Sequence, residues 1–562
     1  MSYRLDLDDI QGNVVRAYGK YSYPFARYFF LNISDPAKGR AFVGEVSKRV
    51  TTAARWPTPD ARPRCTLNIG FTFFGLFRLE VPTRTLQALP EEFIAGMKDR
   101  AFLLGDRDQT MTEDQADRQN WDGHWDPIWQ RNRRGDGYDD DNVHIWISLN
   151  ALRDVTPEHA LDGKPDPKLT RMDPVPELEE TTQWLRDLCA ANGGVRILPG
   201  NGQDGSADFH AAQAVFDRFG DVWLPTPKEH FGFTDGIGDP IFAGQLPEKD
   251  EKEAVIGRGK RMGKGWEPLN PGEFILGHPD ESQELPPTAK PPEFMRNGSF
   301  MAYRKLHENV GSFREVIATE ADRYARVQGI LPDEAQVTLR ARMVGRWPDG
   351  IPLAHAPTFS DWQKARAETG MDDPNPLKAY ENQIAYIKST RSSDFRYADD
   401  MKGYRTPPGA HMRRVNTRDY LDPLNAPEGD NPQATTALNK RRRIMRRGLP
   451  YGALPSDQQT DKTEQGVTMM IICASLFRQF EFIQQQWIQY GLDFHQGNDT
   501  CPILGNHDKH RRMALPADPQ GGGCPYTMSQ LKTVVECRGG DYFFIPSITA
   551  LRMLTMGVID PT

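Results

Sequence analysis

Apolar positions along the chain gather into short, dense, β-favouring runs separated by stretches with helical spacing. The run ARYFFLNI (26 to 33) precedes a helical pattern at 36 to 50, and CTLNIGFTFFGL (65 to 76) follows as a second strand-like run. VHIWISLN (143 to 150), an amphipathic stretch near 176 to 192 and VRILPGN (195 to 201) repeat the order strand, helix, strand. The second half does the same. SFMAYRKL (299 to 306) leads to a helical pattern near 309 to 327, TMMIICAS (468 to 475) to another near 476 to 490, and DYFFIPSI (541 to 548) closes the series. This order predicts an α+β fold of two ferredoxin-like units with antiparallel sheets, residues 1–225 and 226–562.

Between these elements the composition changes. Residues 200 to 297 are rich in Gly, Pro and charge, and 328 to 465 read as turns and short helices inserted in the second unit. Insertions of that length in a compact domain are usually functional, so chemistry is expected there. The 562-residue chain has 28 Phe, 17 Tyr and 11 Trp, enough for a large core, and a formal net charge of −8. That charge gives no general attraction to nucleic acid or an anionic membrane. The start, MSYRLDLDDIQGNVV, carries acids where a secretory leader needs a basic, then apolar, stretch, and a cytoplasmic location is expected. VTMMIICASLF (467 to 477) is too short to span a bilayer and reads as a buried strand.

Several motifs drop out. The six cysteines (Cys65, Cys189, Cys473, Cys501, Cys524, Cys537) contain no CxxC pair; Cys501 and Cys524 could approach each other, but free thiols are the expectation. GRGKRMGKG (257 to 265) has Arg258 and Gly265 where a phosphate loop needs Gly and Ser or Thr. HDKH (His507, His510) and the acidic triplet Asp139 to Asp141 read as surface turns, and NKRRRIMRRG (439 to 448) as a charged helix face with one exception.

Three segments mean more together than apart: GFTDG (232 to 236), PPGAHMRRVNTRD (407 to 419) and RRIMRRGLPYG (442 to 452). With them the chain resembles the dye-decolourising peroxidase family, haem enzymes of two ferredoxin-like units (the dimeric α+β barrel type) whose signature is GxxDG. The likeness runs from LDDIQGNV (7 to 14) through NGSFMAYRKL (297 to 306) and ARMVGRWPDG (341 to 350) to GDYFFIPS (540 to 547), and its long insertions resemble the larger bacterial branch.

The resemblance implies one haem b per chain, held in the second unit with His411 as the iron ligand. Glu481, in FRQFEFIQQQW, matches the family's buried acid behind that histidine, and Arg414 the arginine that pairs with a haem propionate. Asp235 then acts as the proton shuttle for hydrogen peroxide, in a turn permitted by Gly232 and Gly236 and dried by Phe231 and Phe233. Ile237 follows in the haem-contacting turn, and Phe544 lines the distal pocket. Arg446, counted back from Gly448, takes the place of the distal arginine, while Arg447 falls on a variable position. Gly448 stands where some relatives have an asparagine. The implied reaction reduces hydrogen peroxide through a ferryl intermediate and oxidises aromatic dyes or phenolic reductants, large ones through surface Tyr or Trp. No nucleic-acid or membrane partner is expected, and assembly into a homo-oligomer is left open. Two other readings remain: a haem carrier or iron-handling protein on the same scaffold, and an α+β binding module without haem in which GFTDG is only a turn.

Overall fold

The computed structural model describes residues 4–19, 21–107, 123–130, 141–155, 171–286, 288–425, 431–507, 511–517 and 524–559. Its first half contains β1 (Phe25–Ile33), α1 (Pro36–Ser47), β2 (Cys65–Phe71), β3 (Ile145–Ala151), α2 (Glu177–Asn192), β4 (Val195–Ile197) and β5 (His210–Gln213). The second half supplies β6 (Ser299–Glu308), α3 (Val310–Gln328), β7 (Met445–Arg447), β8 (Pro450–Gly452), β9 (Gln465–Cys473) and β10 (Val535–Ile545). The predicted strand and helix order is therefore present, in an α+β fold whose sheet is antiparallel.

Local rules explain most boundaries. Asp35 caps α1 by accepting from the Lys38 N–H, and Pro36 opens the helix. Gly39 is where α1 crosses β1; a Cβ there would lie 2.7 Å from Ile33 Cγ2. The run predicted as strand to 76 ends at Phe71, because Thr72 caps a new helix, Phe73–Arg78, through the Gly75 N–H. The pattern near 476 to 490 forms two π-type segments, Leu476–Glu481 and Ile483–Ile488. Within 328–465 lie helices Pro332–Val344, Phe359–Thr369 and Pro376–Lys388.

Both halves join one sheet in the order β7-β9-β6-β10-β2-β3-β1-β4, with β8 added to β9 and β5 to β1. The halves meet at a single β10–β2 pair, Phe544 opposite Phe71. The far edges also approach: β5 lies against β8, the His210 and Tyr451 rings are 4.7 Å apart, and His210 Nε2 is 2.8 Å from Thr468 Oγ1. The sheet is thus curled almost into a barrel, which gives every strand an inner and an outer face. Inside, Phe30 packs against Tyr303 at 5.1 Å and Trp129 at 4.6 Å, and Lys305 pairs with Asp126 at 2.6 Å.

Outside, the halves differ. Phe29, Ile147 and Ile69 share an outer row in the first half, and all are fully buried. In the second half the register Arg446–Ile471–Ala302–Tyr542 places a guanidinium and a phenol on the same outer face. Among the described residues no helix is long and apolar enough to cross a membrane.

Candidate active site

The turn that carries Asp235 is built from its own backbone outward. Glu229 accepts from the N–H groups of Phe231 and Phe233, both at 2.7 Å, and the Asp235 N–H donates to Pro227 O at 2.8 Å. Gly232 and Gly236 each hold φ near +82°, the left-handed region where a side chain would be strained. Phe231 and Phe233 do not line a pocket as expected. Their rings lie 4.3 and 5.9 Å from that of Phe313 on α3 and anchor the turn to that helix. Gly236 is exposed, and the space beyond its Cα is open. Ile237 packs against Gly350.

Asp235 Oδ1 accepts from the Gly236 N–H at 2.8 Å and pairs with Arg446 Nη2. The neighbouring Arg447 instead pairs with Asp239 at 2.9 Å, and Asp239 also accepts from the Arg446 N–H at 3.3 Å. The structure therefore brings Asp235 and Arg446 together and excludes a one-residue slip. NKRRRIMRRG is not a charged helix face: it runs from a 3₁₀ turn, Lys440–Arg442, into β7.

His411 begins the short helix His411–Val415. At the other end of that helix, Asn416 Nδ2 donates to Gly238 O at 3.2 Å, so the histidine segment and the Asp235 turn touch. His411 Nδ1 lies 3.2 Å from Cys501 Sγ. Glu481 does not reach it: its carboxylate is held by Arg100 and by the Tyr542 hydroxyl, the latter at 2.7 Å. The expected acid behind the histidine is thus occupied on the sheet side. Arg414 donates to the carbonyls of Gly409, Trp487, Tyr490 and Asp499. Phe544 is fully buried, in a phenylalanine cluster with Phe294 and Phe300 at 5.5 and 5.9 Å.

The sequence reading missed a group of arginines. Arg346, Arg418 and Arg443 are each 5% exposed or less. Arg346 donates to Gly350 and Ser392 carbonyls, Arg418 to Ser393 and Phe395, and Arg443 to Gly259 and Arg258. Among the described residues none of the three makes an ion pair, and Arg418 Nε and Nη2 have no partner. Burial pulls Arg346 and Arg418 down to about 10 and Arg443 to about 9, with mutual repulsion adding to it: Arg418 acts on both Arg346 and Arg443, and Arg258 acts on Arg346 and Arg418. Uncompensated cations in an interior are costly unless an anion joins them. A group with two carboxylates, such as haem, fits this cluster. The signal was present in ARMVGRWPDG and AHMRRVNTRD, but not which guanidiniums would turn inward.

The other motifs stay inert. His507 is bound to Thr500 Oγ1 and Cys501 O, while His510, Asp139 and Asp140 lie outside the described residues. Cys501 is buried, Cys524 is exposed and all six cysteines are free. Among the described residues no group of three or more His, Cys, Asp or Glu could hold a metal ion.

No family model matches the chain. It is, however, similar over nearly its full length to curated and solved proteins of one kind. The dye-decolorizing peroxidase of Mycena epipterygia is 24% identical over 98% of this chain and 87% of its own. The multifunctional dye peroxidase DyP2 of an Amycolatopsis species is 26% identical over 58% of this chain and 61% of its own. The fold matches the crystal structure of a DyP-type peroxidase from Auricularia auricula-judae with a TM-score of 0.67 at 20% identity, covering 99% of this chain and all of that one. Fold and site together define an α+β protein whose sheet curls almost into a barrel, with an Asp–Arg pair brought to one outer face by an inserted turn. Its similarity, in sequence and in fold, is to dye-decolourising peroxidases. The similar proteins come from fungi and from the genus Amycolatopsis.

Proposed function

We propose that Asp235 and Arg446 are the peroxide-handling pair of a haem peroxidase in which His411 ligates the iron. Similarity to named dye-decolorizing peroxidases supports reading the protein as a peroxidase; hydrogen peroxide and an aromatic dye or phenolic donor are the substrates we assign to it. One haem b would lie in the 226–562 half, which supplies every site residue, with carboxylates toward Arg346, Arg418 and Arg443. When bound, haem would supply the iron at which peroxide is split and the oxidising equivalents that donors reduce.

The protein's own residues would do the rest. The Asp235 carboxylate, 19% exposed, can accept a proton from peroxide and return it to the departing oxygen. The Arg446 guanidinium beside it can stabilise negative charge as the O–O bond breaks. Cleavage consumes the peroxide proton at Asp235 and releases water. The ion pair between Asp235 and Arg446, two residues 211 positions apart, is the observation that carries this reading.

The test is a purified holoprotein with a Soret band. Asp235→Asn and Arg446→Leu should keep the band and lower kcat/KM for peroxide by about 10²–10³-fold, the scale of losing one preorganised electrostatic group. Wild-type turnover retained by both variants defeats the assignment, and a Soret band without wild-type turnover favours the haem carrier.

A further inference from the structure

We propose that the sulfur of Cys501 is the hydrogen-bond acceptor that positions His411 for iron ligation, a role the sequence had pointed to a carboxylate for. The inference rests on the haem reading above and concerns how this chain holds its ligand.

An imidazole ligates iron through one nitrogen only if the other carries the proton and donates it. His411 Nδ1 lies 3.2 Å from Cys501 Sγ, and no other partner of His411 is found among the described residues. The sulfur also receives the Leu504 N–H at 3.4 Å, which marks it as an acceptor. With Nδ1–H directed to sulfur, the Nε2 lone pair is left for iron.

The contact is held from both sides. Cys501 is fully buried; its N–H donates to Ile488 O at 2.8 Å, and its carbonyl accepts from the Gly505 N–H at 2.9 Å. Arg414, one turn after His411, donates to carbonyls of Trp487, Tyr490 and Asp499, at 2.9, 3.0 and 3.1 Å. A guanidinium fork thus pins the histidine helix to the segment that ends at Cys501. Arg414 and Cys501 are both positioning residues.

Sulfur is a weaker, more diffuse acceptor than a carboxylate. An imidazole donating to it keeps more neutral character, gives less electron density to the metal and sets a higher ferric/ferrous potential than a carboxylate partner would.

The experiment compares wild-type holoprotein with Cys501→Ala, Cys501→Ser and Cys501→Asp, reading the ferric/ferrous midpoint potential by spectroelectrochemistry and the iron–imidazole stretch of the ferrous form by resonance Raman. Cys501→Asp should lower the potential and raise the stretching frequency. Cys501→Ala should do the reverse, with Cys501→Ser between Ala and Asp. Should the Ala variant not retain haem, the lowered potential and raised stretch are read from Asp against wild type. A potential and a stretch that stay at the wild-type values in Asp overturn the proposal. A wild-type protein without a Soret band overturns the haem reading itself, before any variant is compared.

Discussion

The two halves of the sheet repeat one strand and helix order yet treat their outer faces in opposite ways. In the first half Phe29, Ile147 and Ile69 form an apolar row, and the amphipathic helices α1 and α2 cover that side with Phe42, Val43, Val46 and Leu185 fully buried. Burial of such side chains contributes about 1.5–3 kcal/mol each and needs no partner. In the second half the equivalent row carries Arg446 and Tyr542, and each needs a specific partner from elsewhere: Asp235 from an inserted turn, Glu481 from a π-type segment. Paired charge therefore gathers where an insertion, rather than an amphipathic helix, closes the outer face.

This contrast can be pressed hardest with acid. In the first half His144 is buried, its Nδ1 accepts from the Ile33 N–H at 2.9 Å, and burial, reinforced by Arg78 and Arg196, pulls its pKa from 6.5 to about 3. A depressed histidine pKa means that the folded state prefers the neutral ring. Its contribution is complete above pH 6.5 and is lost as pH falls toward about 3, reaching about 5 kcal/mol in total. Urea midpoints measured from pH 7.5 to 4 should fall more steeply for wild type than for His144→Asn, which keeps an acceptor but cannot titrate. Parallel curves would remove His144 as the acid-sensitive point of the sealed half.

The partnered face should fail differently. Arg304 and Asp106 form an ion pair with both side chains 3% exposed, so Asp106→Ala leaves a buried cation alone and should cost about 3–5 kcal/mol. Arg304→Met added to it should recover much of that loss. Thermal unfolding of the single and double variants decides the matter; equal loss in both would mean that packing, not charge, dominates there.

The smallest effect is the most specific. Arg418→Met removes one of three buried, mutually repelling guanidiniums, and the haem-free protein should be unchanged or more stable by about 1 kcal/mol. The same variant should lose haem faster on dilution, seen as decay of the Soret band. Destabilisation of the haem-free protein together with normal haem retention would show that Arg418 serves the fold.

Much of this architecture was legible in the chain. The strands at 25–33, 145–151, 299–308 and 465–473 stand out because both their faces are buried, which demands unbroken apolar runs. Asp235, Arg446 and His411 were legible only as family segments, since a single acid or histidine has no periodicity to betray it. Cys501 gave no signal at all. It passed for an inert thiol because hydrogen bonding to a residue 90 positions away leaves no trace in local pattern. A motif likewise names Glu481 and Arg414 but not the partners their side chains meet, Tyr542 and Arg100 for the one, backbone carbonyls for the other.

What the sequence by itself determined was the order of strands and helices, the large apolar core and the segments in which charge concentrates. Those properties depend on neighbours along the chain: periodicity, capping residues and turn-forming glycines. Tertiary structure alone decided that the two halves close one sheet, that Arg446 rather than Arg447 meets Asp235, and that His411 leans on sulfur. Each of these depends on side chains brought within a few ångströms across long sequence separations, where packing and desolvation select one partner among several of the same type.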